Sequence, residues 1–406
     1  MIQQQNGVSF LPQMIPGKYL YLTKTNKIRY KGYNLKTDCL INLIHEFMSK
    51  YYFHKPEDSD KRVKVNVWSV ILKLKYGSFY NLYIDYLIEN DFIILESDYF
   101  RSKKARTYRL KTSSILFIKH VRVYDKVLIK KYSRGYLEGS QLSNNNSPIP
   151  LHIRKKMVDD LYSVDLKYDE AFSYLKYLDT EHIIGYNSYH KNLASIEAIN
   201  VKYMHFSFDS YGRMHTNFTV LKKDIRKNFI TMDGEEMCEE DICNSQPLFL
   251  AVLMKNTLNV KKLFSPEYNR YFDLVKNGLI YEELMSKCDI EDRNEAKTML
   301  YKVFFGKNND SQKYNIMFNH VFPNVYRFIK EYKDENGNYK TLSHALQTLE
   351  SKFIFNTVIQ HIMDVNPDIK IITIHDSLCY PKKYQKVVKE IFEFHQRKLL
   401  ENTSEF

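Results

Sequence analysis

Cysteine is sparse: five of 406 residues, at Cys39, Cys238, Cys243, Cys288 and Cys379. None are spaced as C-x-x-C, so neither a zinc ribbon nor a disulfide framework is indicated, and the thiols fit a reducing, cytoplasm-like compartment. No apolar stretch reaches about 18 residues, which argues against a transmembrane helix. The opening MIQQQNGVSFLPQMIPGK lacks the basic segment and apolar run of a signal peptide. No internal repeat is visible. Acidic residues are in deficit, with 48 Asp plus Glu against 60 Lys plus Arg and a net charge of +12. That excess favours a polyanionic partner, because Lys and Arg neutralise phosphates and release their counterions.

What is present is ample apolar material. Hydrophobic residues make up 44% of the chain, and its length suits two or three domains. The 33 Tyr and 25 Phe can stack on bases or simply fill cores. Residues 37–53 (TDCLINLIHEFMSKYYF) read as an amphipathic helix with Thr37 or Asp38 as N-cap, within an N-terminal helical segment over 1–59. From Val65 to Lys75 the pattern is helix-like. Tyr76-Gly77-Ser78 is a turn with Ser78 as cap, and Phe79, Leu82, Tyr83, Tyr86 and Leu87 mark a second helix. FIILES and ARTYRL read as strands. Helix, turn, helix and basic hairpin make the order of a winged helix-turn-helix over 60–111, its wing carrying Arg101, Lys103, Lys104, Arg106 and Arg109. Such a wing can grip a DNA backbone, and winged helices also dock proteins. Residues 133–150, rich in Ser, Asn, Gly and Pro, read as a linker.

Four later segments carry the chemistry. Gly212-Arg213-Met214-His215-Thr216 leads to Arg226-Lys-Asn-Phe-Ile. Asp241-Ile-Cys-Asn-Ser-Gln246-Pro follows a turn at Asp233-Gly234, placing Asp241 where a strand ends and a helix begins. RNEAKTMLYKVFFG reads as a helix with Arg293, Lys297, Tyr301 and Phe305 four apart along one face and Gly306 as its C-cap. That face suits a triphosphate at one end and a stacked base at the other; alone, the same spacing is also ordinary core patterning beside a basic edge. Lastly, IKIITIHDSLCYP is a β-branched strand with a His375-Asp376 bend. Two Asp at the ends of neighbouring strands suit Mg²⁺, which prefers oxygen ligands.

These segments resemble, in order, the motifs of the DNA polymerase I family (family A) and of its relatives, the phage-type single-subunit RNA polymerases. Residues 212–216 resemble G-R-x-H-T and residues 226–230 the R-x-A-F-I approach strand. Asp241 stands at the aspartate of motif A, D-Y-S-Q-I-E-L. Residues 293–306 fit motif B, R-x3-K-x3-[FY]-x3-Y-G, with Phe305 in place of tyrosine, and His375-Asp376-Ser377 resembles motif C. The likeness covers roughly residues 205–385. It implies an α+β fold, a right-hand polymerase palm and fingers over 231–406, with a thumb-like region over 151–230 and the winged module before it. It implies two Mg²⁺ ions, or Mn²⁺, on Asp241 and Asp376, and Arg293 and Lys297 on the triphosphate, with Lys297 as general acid toward pyrophosphate. Tyr301 would stack on the nucleotide and Phe305 would lie beside the templating base. His375 would support the primer terminus, Arg213 and Arg226 would hold nucleic-acid backbone, and Gln347 in TLSHALQTLESKFIF would face the template. Gln246 falls where the DNA polymerases carry the glutamate that excludes a 2′-hydroxyl. Its similar length preserves the steric gate, and its amide can still hydrogen-bond a hydroxyl.

The expectation is therefore a DNA-directed DNA polymerase of a mobile element or phage. Its partners would be DNA template, primer and nucleoside triphosphates, with no membrane, in the cytoplasm or, for a phage enzyme, the host's. Two alternatives stand beside it. Ser377, where polymerase I has glutamate, and the absence of a recognisable D-x-E exonuclease start favour a single-subunit RNA polymerase or primase-like enzyme. A replication initiator with an inactive polymerase fold is the other, and the intact Asp241, Asp376, Arg293 and Lys297 count against it.

Overall fold

Helices and short strands are mixed along the whole chain, an α+β architecture. The computed structural model describes residues 10–54, 64–67, 69–98, 106–111, 117–142, 147–258, 265–309, 312–335, 337–374 and 376–399. Two compact units interleave in sequence. The first holds residues 1–143, 164–206 and 216–231; the second holds 144–163, 207–215 and 232–406. The stretch 151–230, expected as one thumb-like region, is therefore divided between them. No helix among the described residues is long and apolar enough to cross a membrane.

In the first unit, β1 (Leu11–Pro16) pairs antiparallel with a later strand, Ile118–Val123. Helix α1 (Thr37–His54) buries Leu40, Ile44, Phe47 and Met48, a face repeating every three to four residues. Asp38 does not cap this helix; its carboxylate accepts from the Tyr124 and Asp125 N–H groups. Strand β2 (Lys64–Val67), helices α2 (Ser69–Tyr76) and α3 (Tyr80–Glu89) and strands β3 (Ile93–Ser97) and β4 (Arg106–Leu110) follow in that order. The sheet order is β2-β4-β3. Residues 64–67 are thus a strand rather than the start of a helix. Alternating Val65 and Val67 are buried while Lys64 and Asn66 face out, so period-2 burial overrides the helical reading. Phe79, not Ser78, occupies the N-cap of α3, and Gly77 takes the positive φ of the turn. Phe47 of α1 closes the core, edge-on to Phe92 and Tyr108. The strand Ile118–Val123 is β5. Of the stretch expected as linker, Arg134–Gln141 is helical, and the division between units falls just after it.

The second unit begins with α4 (Leu151–Tyr162). Its Asp160 carboxylate accepts from the Ile371 N–H at 2.8 Å and from Lys156, tying this helix to the strand that follows Ile371. Strand β6 (Glu235–Asp241) rises from the Asp233-Gly234 turn, both residues at positive φ, as a type I′ hairpin requires. Helix α5 (Ser245–Thr257) is buried at every position from 245 to 254, which is why PLFLAVLM is apolar all round. Helix α6 (Arg293–Phe305) starts on the Asp292 side-chain cap, which accepts from the Asn294 N–H. After α6 come α7 (Pro323–Glu335) and α8 (Thr341–Lys352), which widens into a π-helical stretch over Phe353–Ile359. Strands β7 (Ile372–Ile374) and β8 (Ser377–Pro381) form a hairpin beside β6, and α9 (Gln385–Lys398) closes the unit.

The C-terminus of α6 is fixed from outside the helix. A Cβ at Gly306 would overlap the Lys302 carbonyl oxygen, so the position must be glycine. The Lys333 ammonium, 2% exposed, donates to the carbonyls of Val303 (2.6 Å) and Gly306 (2.9 Å). Burial pushes this lysine down from 10.5 to about 8. Between those pH values the unfolded chain holds the proton and the folded chain does not, so this group adds stability as pH rises through the window. Lys333→Met leaves two carbonyls without their donor and is expected to cost ~1–3 kcal/mol. In denaturant titrations its deficit against wild type should widen from pH 8 to pH 10; a deficit independent of pH would mean that the lysine is not held neutral there.

Candidate active site

Backbone pairing brings the two aspartates together. Strand β6 ends at Asp241, whose partner across the ladder is Ser377. Asp376 is the residue before Ser377, in a turn at the start of β8. A ladder pair and one peptide step put the two aspartate Cα atoms within about 9 Å. The chain then leaves β6 through Asn244, at φ 54° and ψ 43°, and enters α5. Asp241 is exposed and Asp376 partly so. The neighbouring carboxylates of β6 are held by β8: Glu239 accepts from the Ser377 hydroxyl at 3.1 Å and Glu240 from the Tyr380 hydroxyl at 2.9 Å. Among the described residues, no group of three or more His, Cys, Asp or Glu side chains is placed to hold a metal ion. Two carboxylates with adjacent main-chain oxygen form a hard donor set, and Mg²⁺ commonly keeps several waters and takes only one or two carboxylates. The donors therefore fit that ion.

Helix α6 divides its two faces. Ala296, Met299, Leu300, Val303 and Phe304 are buried. Arg293, Lys297 and Tyr301 are exposed and Phe305 is half-buried, so the motif B positions are the solvent face and not the core stripe. The Arg293 guanidinium lies 4.6 Å from the Tyr281 ring centroid and pairs with Glu282 at 3.0 Å. Lys297 sits over the Tyr301 ring at 5.9 Å, and Tyr301 and Phe305 are 5.2 Å apart. The Tyr301 hydroxyl is pushed up by burial and then by the negative charges of Asp376, Glu350 and Asp241, against the opposing charge of Arg213. Tyr281 is pushed to about 12 by burial, with Tyr301 and Asp376 adding to it and Arg293 opposing. Both tyrosines thus feel Asp376, and Tyr301 lies in the field of both aspartates.

A carboxylate that the motifs do not contain sits at the centre. Glu350 of α8 is 1% exposed. Its Oε1 accepts from the Arg213 Nε at 2.8 Å and from Nη2; its Oε2 accepts from the Ser245 hydroxyl at 2.8 Å and from the Gln246 amide at 2.6 Å. Burial raises its pKa, Arg213 and Ser245 lower it, and Asp376 raises it. Sequence offered one signal. Leu342, Leu346 and Glu350 are spaced by four on the buried face of α8, so a carboxylate holds a core position. Arg213 is presented by a tight turn in which the Asp209 carboxylate accepts from the Tyr211 and Arg213 N–H groups and contacts His215 at 3.0 Å. Gly212 in that turn has φ +92°, and a Cβ would press within 3.0 Å of Ile149 and Pro148. Tyr211 stacks on His344 of α8 at 4.2 Å. Gln347, one turn before Glu350, is partly exposed.

The remaining expected residues lie elsewhere. Arg226 belongs to the other unit, on a helix over Lys223–Phe229 rather than a strand; a run of KDIRKNF without β-branched alternation folds helically, and its guanidinium donates to the Leu221 carbonyl. Of the residues expected in a wing, Arg106 pairs with Asp98 at 2.9 Å and Arg109 with Glu96. Arg101, Lys103, Lys104 and His375 lie outside the described residues. All five cysteines are free thiols. Compared with protein-family models and with curated proteins, the chain matches none.

Proposed function

We propose that the second unit catalyses template-directed nucleotidyl transfer, extending a DNA primer from nucleoside triphosphates as a DNA polymerase with a right-hand palm and fingers. One observation carries the reading: Asp241 and Asp376 adjoin through strand register, and Tyr301, on the same exposed face of α6 as Arg293 and Lys297, lies in their field. Asp241 and Asp376 would hold two Mg²⁺ ions. When bound, such ions activate a primer 3′-hydroxyl and stabilise the leaving pyrophosphate.

The chain's own residues do the rest. Arg293 and Lys297, four apart on α6, bind the triphosphate. Arg293 must exchange Glu282 for phosphate; both side chains are about half exposed, so that surface pair is cheap to break. The Lys297 ammonium would give a proton to pyrophosphate as it leaves. Tyr301 offers its ring to the base and Phe305 lies beside it. Gln246, at the start of α5, bears on the sugar, and Gln347 and Arg213 face template or primer. Charge at the aspartates is indispensable on this reading. Asp241→Asn or Asp376→Asn should lower nucleotide addition roughly 10³-fold while folding and DNA binding persist. Primer extension within about tenfold of wild type in either variant would remove the assignment.

Helix, strand, two helices and two strands with sheet order β2-β4-β3 support a winged-helix module in the first unit. Its DNA role is less well supported by charge than the sequence suggested. Helix α3 carries Asp85 and Glu89 and no Lys or Arg, and Arg106 and Arg109 are ion-paired within the module. Val70, Ile71 and Leu74 of α2 are exposed, as is Phe79 just before α3, which favours protein docking as a second reading. Replacing Lys103, Lys104 and Arg106 by Ala separates the two. A DNA-gripping wing should lose up to about three units of slope in the salt dependence of DNA binding, with extension at saturating DNA retained. An unchanged slope assigns the module to a protein partner.

A further inference from the structure

Glu350 lies outside the residues that the polymerase motifs supply, yet it touches three of them. It is buried among three donors from two separated segments: Arg213 from the glycine turn, and Ser245 and Gln246 from the first turn of α5. A buried carboxylate accepts and cannot donate while ionised, so Gln246 must turn its NH₂ toward Glu350. The amide's other atom, Oε1, is then buried without a hydrogen-bond partner, in a residue only 8% exposed. Left to itself, the side chain would turn to satisfy that oxygen, because an unpaired buried acceptor is costly. The hydrogen bond to the carboxylate, a charge-assisted one at 2.6 Å, opposes that rotation.

We propose that Glu350 is a positioning residue for sugar selection: by holding the Gln246 amide, it fixes the side chain that bears on the 2′ position of the incoming nucleotide. This rests on the polymerase reading above. Glu350 does not touch the reacting atoms; it acts through Gln246. The same carboxylate fixes Arg213, so the glycine turn and the start of α5 are set by one anchor. A further consequence is that glutamate, the residue of the resembled DNA polymerases, is wrong at position 246 in this chain. A second carboxylate facing Glu350 would be repelled and could not donate.

The test is steady-state primer extension by the full chain with Mg²⁺, reading kcat and KM separately for dATP and ATP opposite one template base. The single variants E350Q and Q246E should each shift the ratio of kcat/KM for dATP over ATP by about tenfold, mainly through ATP. The double variant Q246E/E350Q exchanges donor and acceptor and should return the ratio to within about threefold of wild type. A purely structural role predicts instead that the variants lower both nucleotides alike, with no change in ratio and no rescue; that result overturns the inference. If E350Q does not fold, Q246E alone decides, since an unchanged ratio there is equally fatal. A wild-type chain that adds neither nucleotide overturns the polymerase reading and the inference with it. An active wild type with an unmoved ratio overturns only the role of Glu350.

Discussion

The pairing of β6 with β8 is the constraint on which the site depends. Side chains alternate along a strand, so a slip of one residue would send Asp241 to the opposite face and separate it from the β7–β8 turn. Two diagonal hydrogen bonds, one on each face of the ladder, oppose such a slip. On the face of Asp241, Ser377 donates to Glu239; on the other, Tyr380 donates to Glu240. Each joins residues that are two positions out of direct opposition, a reach available in one register only. The single Ser377 hydroxyl proton is shared between Glu239 and the Ile374 carbonyl, both 3.1 Å away, so the residue opposite Asp241 is also tied back to β7 beside Asp376.

Strands β7 and β8 are buried throughout, which explains the β-branched Ile-Thr-Ile of β7 and the apolar centre of β8, and Asp160 of α4 fixes the entry to β7 through the Ile371 N–H. The catalytic candidates are therefore set on rigid backbone rather than on a long loop. Helix α6 is held in a complementary way. Its buried stripe packs inward, Asp292 caps one end, and Lys333 and Gly306 define the other. Its outward face is left to carry Arg293, Lys297 and Tyr301.

Much of this was legible in the sequence because it rests on local rules. The Asp233-Gly234 turn, the strand-to-helix change at Asp241, the turn position of Asp376 and the period of α6 all follow from turn chemistry and periodicity. Failures occurred where a local signal was short or shared. Val65 and Val67 alternate over only four residues before a helical run, too short a stretch to stand apart from it. The composition of 133–150 suggested linker, yet Arg134–Gln141 forms a helix with an Arg134–Glu138 pair one turn apart. The spread of 151–230 over both units is a matter of long-range packing, which no window of sequence contains.

Glu350 shows why the site was only partly legible. A glutamate on a helix is ordinarily a solvated residue, and its meaning here lies in partners 104, 105 and 137 positions away. Its role also differs from that of the aspartates for a physical reason. Both its oxygens accept from donors in a site closed to water, so its charge is already matched by Arg213 and two neutral dipoles. A carboxylate in that state holds protein together and is a poor ligand for an arriving cation. Asp241, exposed at a strand end, and Asp376, at a turn, keep the hydration that a cation can displace. The three acids near Tyr301 thus divide between organisation and chemistry by burial, and the same carboxylate chemistry serves both because the backbone sets how much water each one sees.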